Sequence, residues 1–243
     1  MAIELHPLEQ FTIERVLPVR LHGLDVSYTN AALAMTAIVA LIAALTIFGT
    51  RRAALVPGRV QSLAELSYEF VADMLQSTVG PLGLPFFPFI FSLFMFILFA
   101  NLLGLIPYSF TVTGQIIVTF ALAIVVFIGV TIVGFVKHGL HFLRFFVPEG
   151  VPALLLVILV PIEVLSYCIR PFTLSIRLFA NMLAGHTMLG IFAGFAALIG
   201  ALAIFPVAID VMLLALELLV AVLQAYVFAI LSCLYLNDAI HMH

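Results

Sequence analysis

Residues 151–195 read VPALLLVILVPIEVLSYCIRPFTLSIRLFANMLAGHTMLGIFAGF, and this apolar stretch holds Arg177 in its interior. A guanidinium stays protonated at every physiological pH, so the chain cannot lower the cost of burying it by neutralising it. Placing an arginine at the middle of a membrane-spanning helix costs about 2.5 to 3.5 kcal/mol on insertion scales. A charge kept at that cost predicts an ion pathway, or a carboxylate partner, within the membrane.

The composition of the whole chain indicates a polytopic membrane protein. Of 243 residues, 65% are hydrophobic and 9% are charged, whereas soluble domains carry about 25% charged residues. No basic patch suggests a nucleic-acid partner. Cys168 and Cys233 lie in apolar runs without metal-ligand spacing, and we expect both to be buried, unreactive thiols. We expect no metal ion and no cofactor.

Five apolar segments are long enough to cross a bilayer, which takes about 20 residues per helix. We therefore predict a single all-α membrane domain over residues 1–243, with an N-terminal segment outside the membrane at residues 1–27. The predicted spans are residues 28–50, 86–106, 115–136, 151–195 and 203–236.

A different pattern occupies residues 61–79, between the first two spans. Apolar side chains recur there at helical spacing, at Leu63, Leu66, Phe70, Val71 and Met74, while Glu65, Glu69 and Asp73 share the other side. The pattern predicts an amphipathic helix that lies on the membrane surface. A solvated connecting helix is the alternative.

Lysines and arginines gather in the loops after the first and third spans, and this bias predicts the orientation of the chain. Arg51, Arg52 and Arg59 follow the first span, and Lys137 and Arg144 follow the third. Both loops then belong on the cytoplasmic or matrix side. This places the N-terminus outside and the C-terminus, after five spans, inside.

The last two segments are longer than a bilayer requires. As continuous helices they would measure about 67 Å and about 51 Å, against a hydrocarbon layer about 30 Å thick. Either the helices are broken, with Pro161 and Pro171 as candidate bends, or they lie steeply inclined. We favour an inclined helical hairpin that turns near Gly194 and Gly200 and follows the curved side of another membrane assembly.

Each of these two helices carries one row of polar residues along one side. Along the first helix the row falls within about 40° on a helical wheel, and it consists of Glu163, Arg170, Arg177 and Asn181. Along the second helix the row has strict seven-residue spacing, and it consists of Asp210, Glu217 and Gln224. The rows predict a proton or ion path. The alternative is that they pair with each other, because buried charges need partners.

His186 lies nine residues after Arg177, about half a turn round the helix from the arginine row. If Arg177 separates two aqueous passages, titratable groups should lie on different sides of it. We therefore predict that His186 and Glu217 form a proton relay on the outer side. The alternatives are a hydrogen-bonded core histidine, an interfacial Asp210, and a plain ion pair between Glu163 and Arg170.

Three blocks of this sequence resemble subunit a of F-type ATP synthases. TLSIRLFANMLAGH at residues 173–186 is similar to the arginine signature of that family. LLALELLVAVLQAYVFAILSCLYL at residues 213–236 is similar to its last helix, and NLLGLIPYSF at residues 101–110 to the end of an earlier one. The resemblance covers nearly the whole chain from about residue 25.

The resemblance implies a stator subunit beside a rotating ring of c subunits, with b-type peripheral-stalk subunits and the rest of the complex as further partners. Arg177 would be the arginine that meets the c-subunit carboxylate, with Asn181 and Gln224 near it. His186 and Glu217 would form an outer channel pair whose identities are reversed in some bacterial members. Glu163 and Arg170 match positions linked to the inner passage. The membrane would be a bacterial inner membrane or, alternatively, a mitochondrial one.

Other functional classes fit the sequence less well. A proton-coupled secondary transporter would commonly show internal repeats, and we find none. H-E-x-x-H and G-x-S-x-G motifs of hydrolases are absent, as is the phosphate-binding loop G-x-x-x-x-G-K-[ST]. We therefore expect a subunit that is not an enzyme by itself. The alternative that the chain is a proton-translocating subunit of a respiratory complex remains, and the subunits that co-purify with it would distinguish the two functions.

Overall fold

The computed structural model describes residues 12–18, 20–21, 24–25, 27–51, 54, 56–106, 109–147, 152–199 and 203–241. Arg52 and Gly200, named above, lie outside the described residues. Six α-helices occur within them: α1 Asn30–Thr50, α2 Arg59–Val79, α3 Phe87–Gly104, α4 Ile116–His138, α5 Ala153–Ile199 and α6 Ile204–Ile240.

The prediction of an all-α polytopic membrane protein is confirmed. Five helical segments of the described chain are long and apolar enough to cross a membrane, and α2 is not among them. The second span begins in a 3-10 turn, Pro81–Phe86, and the third continues through another, Gly139–Phe146. Two short pairs of strands precede α1. Strand β1 (Arg15–Leu17) pairs antiparallel with β4 (Tyr28–Thr29), and strand β2 (Arg20–Leu21) pairs antiparallel with β3 (Leu24–Asp25).

Helix α1 begins at a capped end. Thr29 lies in extended backbone, and its hydroxyl accepts a hydrogen bond from the amide of Ala32, which satisfies one of the free N–H groups at a helix start. The side-chain amide of Asn30 donates to the carbonyl of Thr12 at 2.9 Å. The Asn30–Thr12 contact joins the N-terminal segment to the start of the first span.

The amphipathic helix α2 packs against α1, α3 and α6. Val71 and Met74 are buried in the core, whereas Leu63 and Leu66 are exposed, and the position of α2 on the membrane surface stays a prediction. The five apolar residues of the pattern spread over about 140° of the helix. One edge of that arc therefore faces the core while the other edge stays open.

Small residues allow α6 to lie at the centre of the helix packing. Ala221, Ala225 and Ala229 are fully buried at four-residue intervals, and such a row lets neighbouring helix backbones approach closely within a membrane. Helices α2, α3, α4 and α5 all contact α6. Cys233, also on α6, is buried as expected, whereas Cys168 on α5 is exposed, and that expectation is wrong. Cys168 has apolar neighbours in the sequence, but they lie on an exposed face of α5.

Helices α5 and α6 are both continuous, with 47 and 37 residues. Pro161 and Pro171 lie inside α5 without ending it. The two helices contact each other along the hairpin. Continuity removes the broken-helix alternative, and the inclination of the hairpin in a bilayer stays a prediction.

Candidate functional site

A histidine and a glutamate meet in the interior of the hairpin. Nδ1 of His186 on α5 lies 2.5 Å from Oε1 of Glu217 on α6, and both side chains are buried. The carbonyl of Met182, one turn earlier on α5, lies 3.0 Å from the same Nδ1. The other ring nitrogen, Nε2, lies 2.7 Å from the carbonyl oxygen of Gly104 at the end of α3. Three helices therefore converge on one imidazole.

Both ring nitrogens of His186 face oxygen acceptors. A neutral imidazole donates from one nitrogen and accepts at the other, whereas an imidazolium donates from both. The imidazolium form beside a Glu217 carboxylate thus satisfies both nitrogens. A proton that passes from one residue to the other needs to cover only the 2.5 Å between Nδ1 and Oε1. This geometry brings together the two residues predicted to form a relay.

Gly185 gives Glu217 the space it occupies. A Cβ atom added at Gly185 would lie 2.7 Å from Oε1 and 2.9 Å from the carboxyl carbon of Glu217. No real Cβ contact is that short, so any larger residue must displace the carboxylate. The glycine therefore belongs to the site although it carries no polar group.

Replacing Gly185 with alanine should move Glu217 away from His186. We expect the alanine variant to fold, because Ala is tolerated in a helix, but any proton transfer through the pair to be at least about tenfold slower. Proton flux across vesicles that contain the variant measures the rate. Gly129→Ala is the matched control, since a Cβ there meets nothing within 4 Å. Equal proton flux in the two variants would contradict this role of Gly185.

Arg177 lies on the opposite side of α5 from His186. Its side chain is exposed, whereas His186 is buried, which agrees with the half-turn offset between the two residues. Within the described part of the chain Arg177 makes no ion pair and no hydrogen bond. Ile176 and Phe172 are exposed and apolar, whereas Thr173 and Asn181, one turn before and one turn after Arg177, are polar. A permanent charge therefore projects from the exposed side of a membrane-spanning helix.

Arg170, two turns before Arg177, has a quite different environment. Its guanidinium bonds Oδ2 of Asp238 at 3.0 Å, and it lies over the rings of Phe145, Tyr167 and Tyr235 at 5.9, 5.5 and 5.0 Å. Aromatic faces attract a cation. The proposed plain ion pair between Glu163 and Arg170 is therefore wrong, because the acidic partner comes from α6.

Sequence reasoning missed Asp238, although a signal for it existed. It lies 14 residues after Gln224 and so continues the seven-residue row on α6, with Leu231 in between. The contact with Arg170 joins α5, α6 and the 3-10 turn after α4. These elements come together at the end of the hairpin away from its turn.

The other predicted site residues do not join one cluster. Gln224 is buried on α6, whereas Glu163, Asn181 and Asp210 are partly exposed. The two polar rows neutralise each other only in part: Arg170 pairs with Asp238, which continues the row on α6, whereas Arg177 has no ion pair among the described residues. No group of three or more metal-ligating side chains occurs in the described ranges.

Comparison with known proteins shows one family over most of the chain. Residues 32–237 match the family described as ATP synthase A chain. A protein named ATP synthase subunit a from Rhizobium etli is 57% identical over 242 residues, covering 97% of each chain. Proteins of the same name from Allorhizobium ampelinum and Mesorhizobium japonicum are 57% and 55% identical, covering 97% and 99% of this chain and 97% and 98% of theirs.

Proposed function

This chain belongs to the ATP synthase A chain family, and we propose that it is the ion-conducting stator subunit of a rotary ATP synthase. In this function it offers a proton one passage from the outside and another to the inside. The two passages end at a carboxylate on a ring of c subunits and are separated by Arg177.

The carrying observation for this proposal is that Arg177 is exposed on a membrane-spanning helix without an ion pair or hydrogen bond among the described residues. A guanidinium facing lipid tails is costly, so the face must be covered by something that supplies a negative charge. A membrane-embedded carboxylate on a neighbouring subunit answers that need. A secondary transporter would instead enclose its charges around an internal site.

The outer passage leads through the buried pair. A proton reaches His186 and Glu217 from the outside, with Asp210 one heptad nearer the hairpin turn. Oδ1 of Asp210 is buried and has no hydrogen-bond partner among the described residues, which suits a group that faces a wet passage. The pair passes the proton to the ring carboxylate near Asn181 and Gln224.

The inner passage involves Glu163, two turns before Arg170 on the same side of α5. Arg170 is held by Asp238 and three aromatic rings, so its part is to fix the inner end of the hairpin and set the local charge. Glu163 keeps a partly exposed carboxyl group. We assign the receiving of the outgoing proton to Glu163.

The cycle follows from the electrostatics. A protonated, neutral ring carboxyl group can rotate into lipid, where a carboxylate could not go. After nearly a full turn it reaches the inner passage, and the positive charge of Arg177 favours release of its proton. The same charge repels protons that would cross directly between the passages. A potential of 100 mV adds about 2.3 kcal/mol for each charge moved across the membrane.

The chain performs no bond chemistry in this function. Nucleotide hydrolysis and synthesis take place in other subunits, and the contacts of this subunit are the c ring, the b-type peripheral stalk and the bilayer. We place it as a multi-pass protein in a bacterial inner membrane, N-terminus outside and C-terminus inside, in keeping with the bacterial organisms of its relatives.

Cross-linking tests which face meets the ring. In a background with Cys168→Ser, Ile176→Cys should form a disulfide with a cysteine placed beside the carboxylate of a c subunit, because a disulfide needs Cβ atoms about 3.5 to 4.5 Å apart. Ile128→Cys on α4 is the control, since Ile128 is similarly exposed but lies on another helix. A cross-link from residue 128 and none from residue 176 would refute the assignment.

A further inference from the structure

Three buried residues in this part of the fold have side-chain oxygen atoms without a hydrogen bond. They are Asn101, Thr113 and Glu217, which are 0%, 0% and 5% exposed. Oδ1 of Asn101, Oγ1 of Thr113 and both carboxylate oxygens of Glu217 make no hydrogen bond among the described residues, although Oε1 of Glu217 faces Nδ1 of His186. Buried polar atoms in proteins are nearly always satisfied, by protein groups or by ordered water.

Asn101 is held in place by its other amide atom. Nδ2 donates to the carbonyl of Ala221 at 2.9 Å, and Ala221 lies one turn after Glu217 on α6. Along α3, Asn101 lies one turn before Gly104, whose carbonyl receives Nε2 of His186. The side-chain amide of Asn101 therefore links α3 to α6 one turn from Glu217, and its oxygen Oδ1 makes no hydrogen bond among the described residues.

Thr113 lies in the loop between α3 and α4. It belongs to the 3-10 turn Val112–Gly114, which packs against α3 and α5. Two residues earlier, Oγ1 of Thr111 donates to the carbonyl of Gly104 at 3.4 Å. The loop thus lies against the same carbonyl that receives the histidine.

We propose that Asn101 and Thr113 hold buried water against Oε2 of Glu217, and that this water delivers protons to the pair. A buried water typically makes about three hydrogen bonds to otherwise unsatisfied polar groups, and the amide oxygen, the hydroxyl and the carboxylate supply that number. The site deepens the proposed function, on which it rests. Asn101 and Thr113 act as positioning residues, because they orient the water and do not themselves carry the proton.

Matched threonine variants test the site in the assembled complex. Thr113→Val should slow ATP-driven proton pumping about three- to tenfold, the effect of one lost hydrogen bond. Thr113→Ser keeps the oxygen and should pump at close to the wild-type rate. Thr119→Val is the control: Thr119 is equally buried, but its hydroxyl bonds Ile116 and Ser175. Asn101→Leu removes the other oxygen and should also slow pumping while the complex assembles.

The outcomes separate this site from the proposed function. Slow pumping by Thr113→Val and Asn101→Leu, with fast pumping by Thr113→Ser and Thr119→Val, supports the site. Wild-type pumping by Thr113→Val, or equal losses in all three threonine variants, overturns it. Loss of pumping in Glu217→Gln together with unaffected Thr113→Val would remove the water site and leave the proposed function intact.

Discussion

Replacing Arg177 with alanine should abolish proton pumping driven by ATP hydrolysis. An arginine 4 Å from a ring carboxylate stabilises its ionised form by about 4 kcal/mol at an effective dielectric constant of about 20. That energy corresponds to roughly a thousandfold change in the equilibrium for proton release. Without the cation the ring carboxyl group keeps its proton, and nothing separates the two passages. Acidification of inverted vesicles that contain the whole complex should fall to background.

Arg59→Ala is the control for this variant. Arg59 is an exposed arginine at the start of α2, outside the candidate spans, and its loss should leave pumping near the wild-type rate. The amount of each variant in the purified complex separates failure to pump from failure to assemble. A fully assembled Arg177→Ala complex that pumps at the wild-type rate would refute the assigned role of Arg177.

Periodicity in the sequence was sufficient to predict the helices and the opposite placement of Arg177 and His186. Both follow from 100° per residue along an unbroken helix, and α5 is unbroken despite two prolines. Within a membrane a proline is tolerated inside a helix when neighbouring groups satisfy the freed carbonyl. Whether they do so depends on packing, so the sequence alone could not decide whether Pro161 and Pro171 break the helix.

A helical wheel describes a single helix, so it could not predict the contacts between helices. Arg170 and Glu163 share a side of α5, which suggested a pair, but the packing of α6 brings Asp238 to Arg170 at 3.0 Å. Asn101 and Gly185 were overlooked for a related reason. Their roles depend on the distance between α3, α5 and α6, and a lone amide or a glycine in an apolar run carries no periodic signal.

Replacing Glu217 with glutamine should slow proton entry without dissolving the complex. Glutamine has nearly the same shape and can still accept a hydrogen bond from Nδ1 of His186, which lies 2.5 Å from Oε1 of the native residue. An amide cannot take up and release a proton, so the relay is interrupted at this residue. Because a positioned acid or base contributes about 10²- to 10⁴-fold to proton transfer, pumping should fall about a hundredfold.

Exchanging the two residues provides the strictest test of this relay. His186→Glu combined with Glu217→His keeps one acid and one imidazole facing each other, and Gly185 still leaves room beside residue 217. The double variant should recover at least about a tenth of wild-type pumping, although the carbonyl of Gly104 loses its donor. Each single change leaves two like groups together and should pump far more slowly than the double variant. If Glu217→Gln pumps at the wild-type rate, or the double variant is no faster than either single one, protons do not pass through this pair.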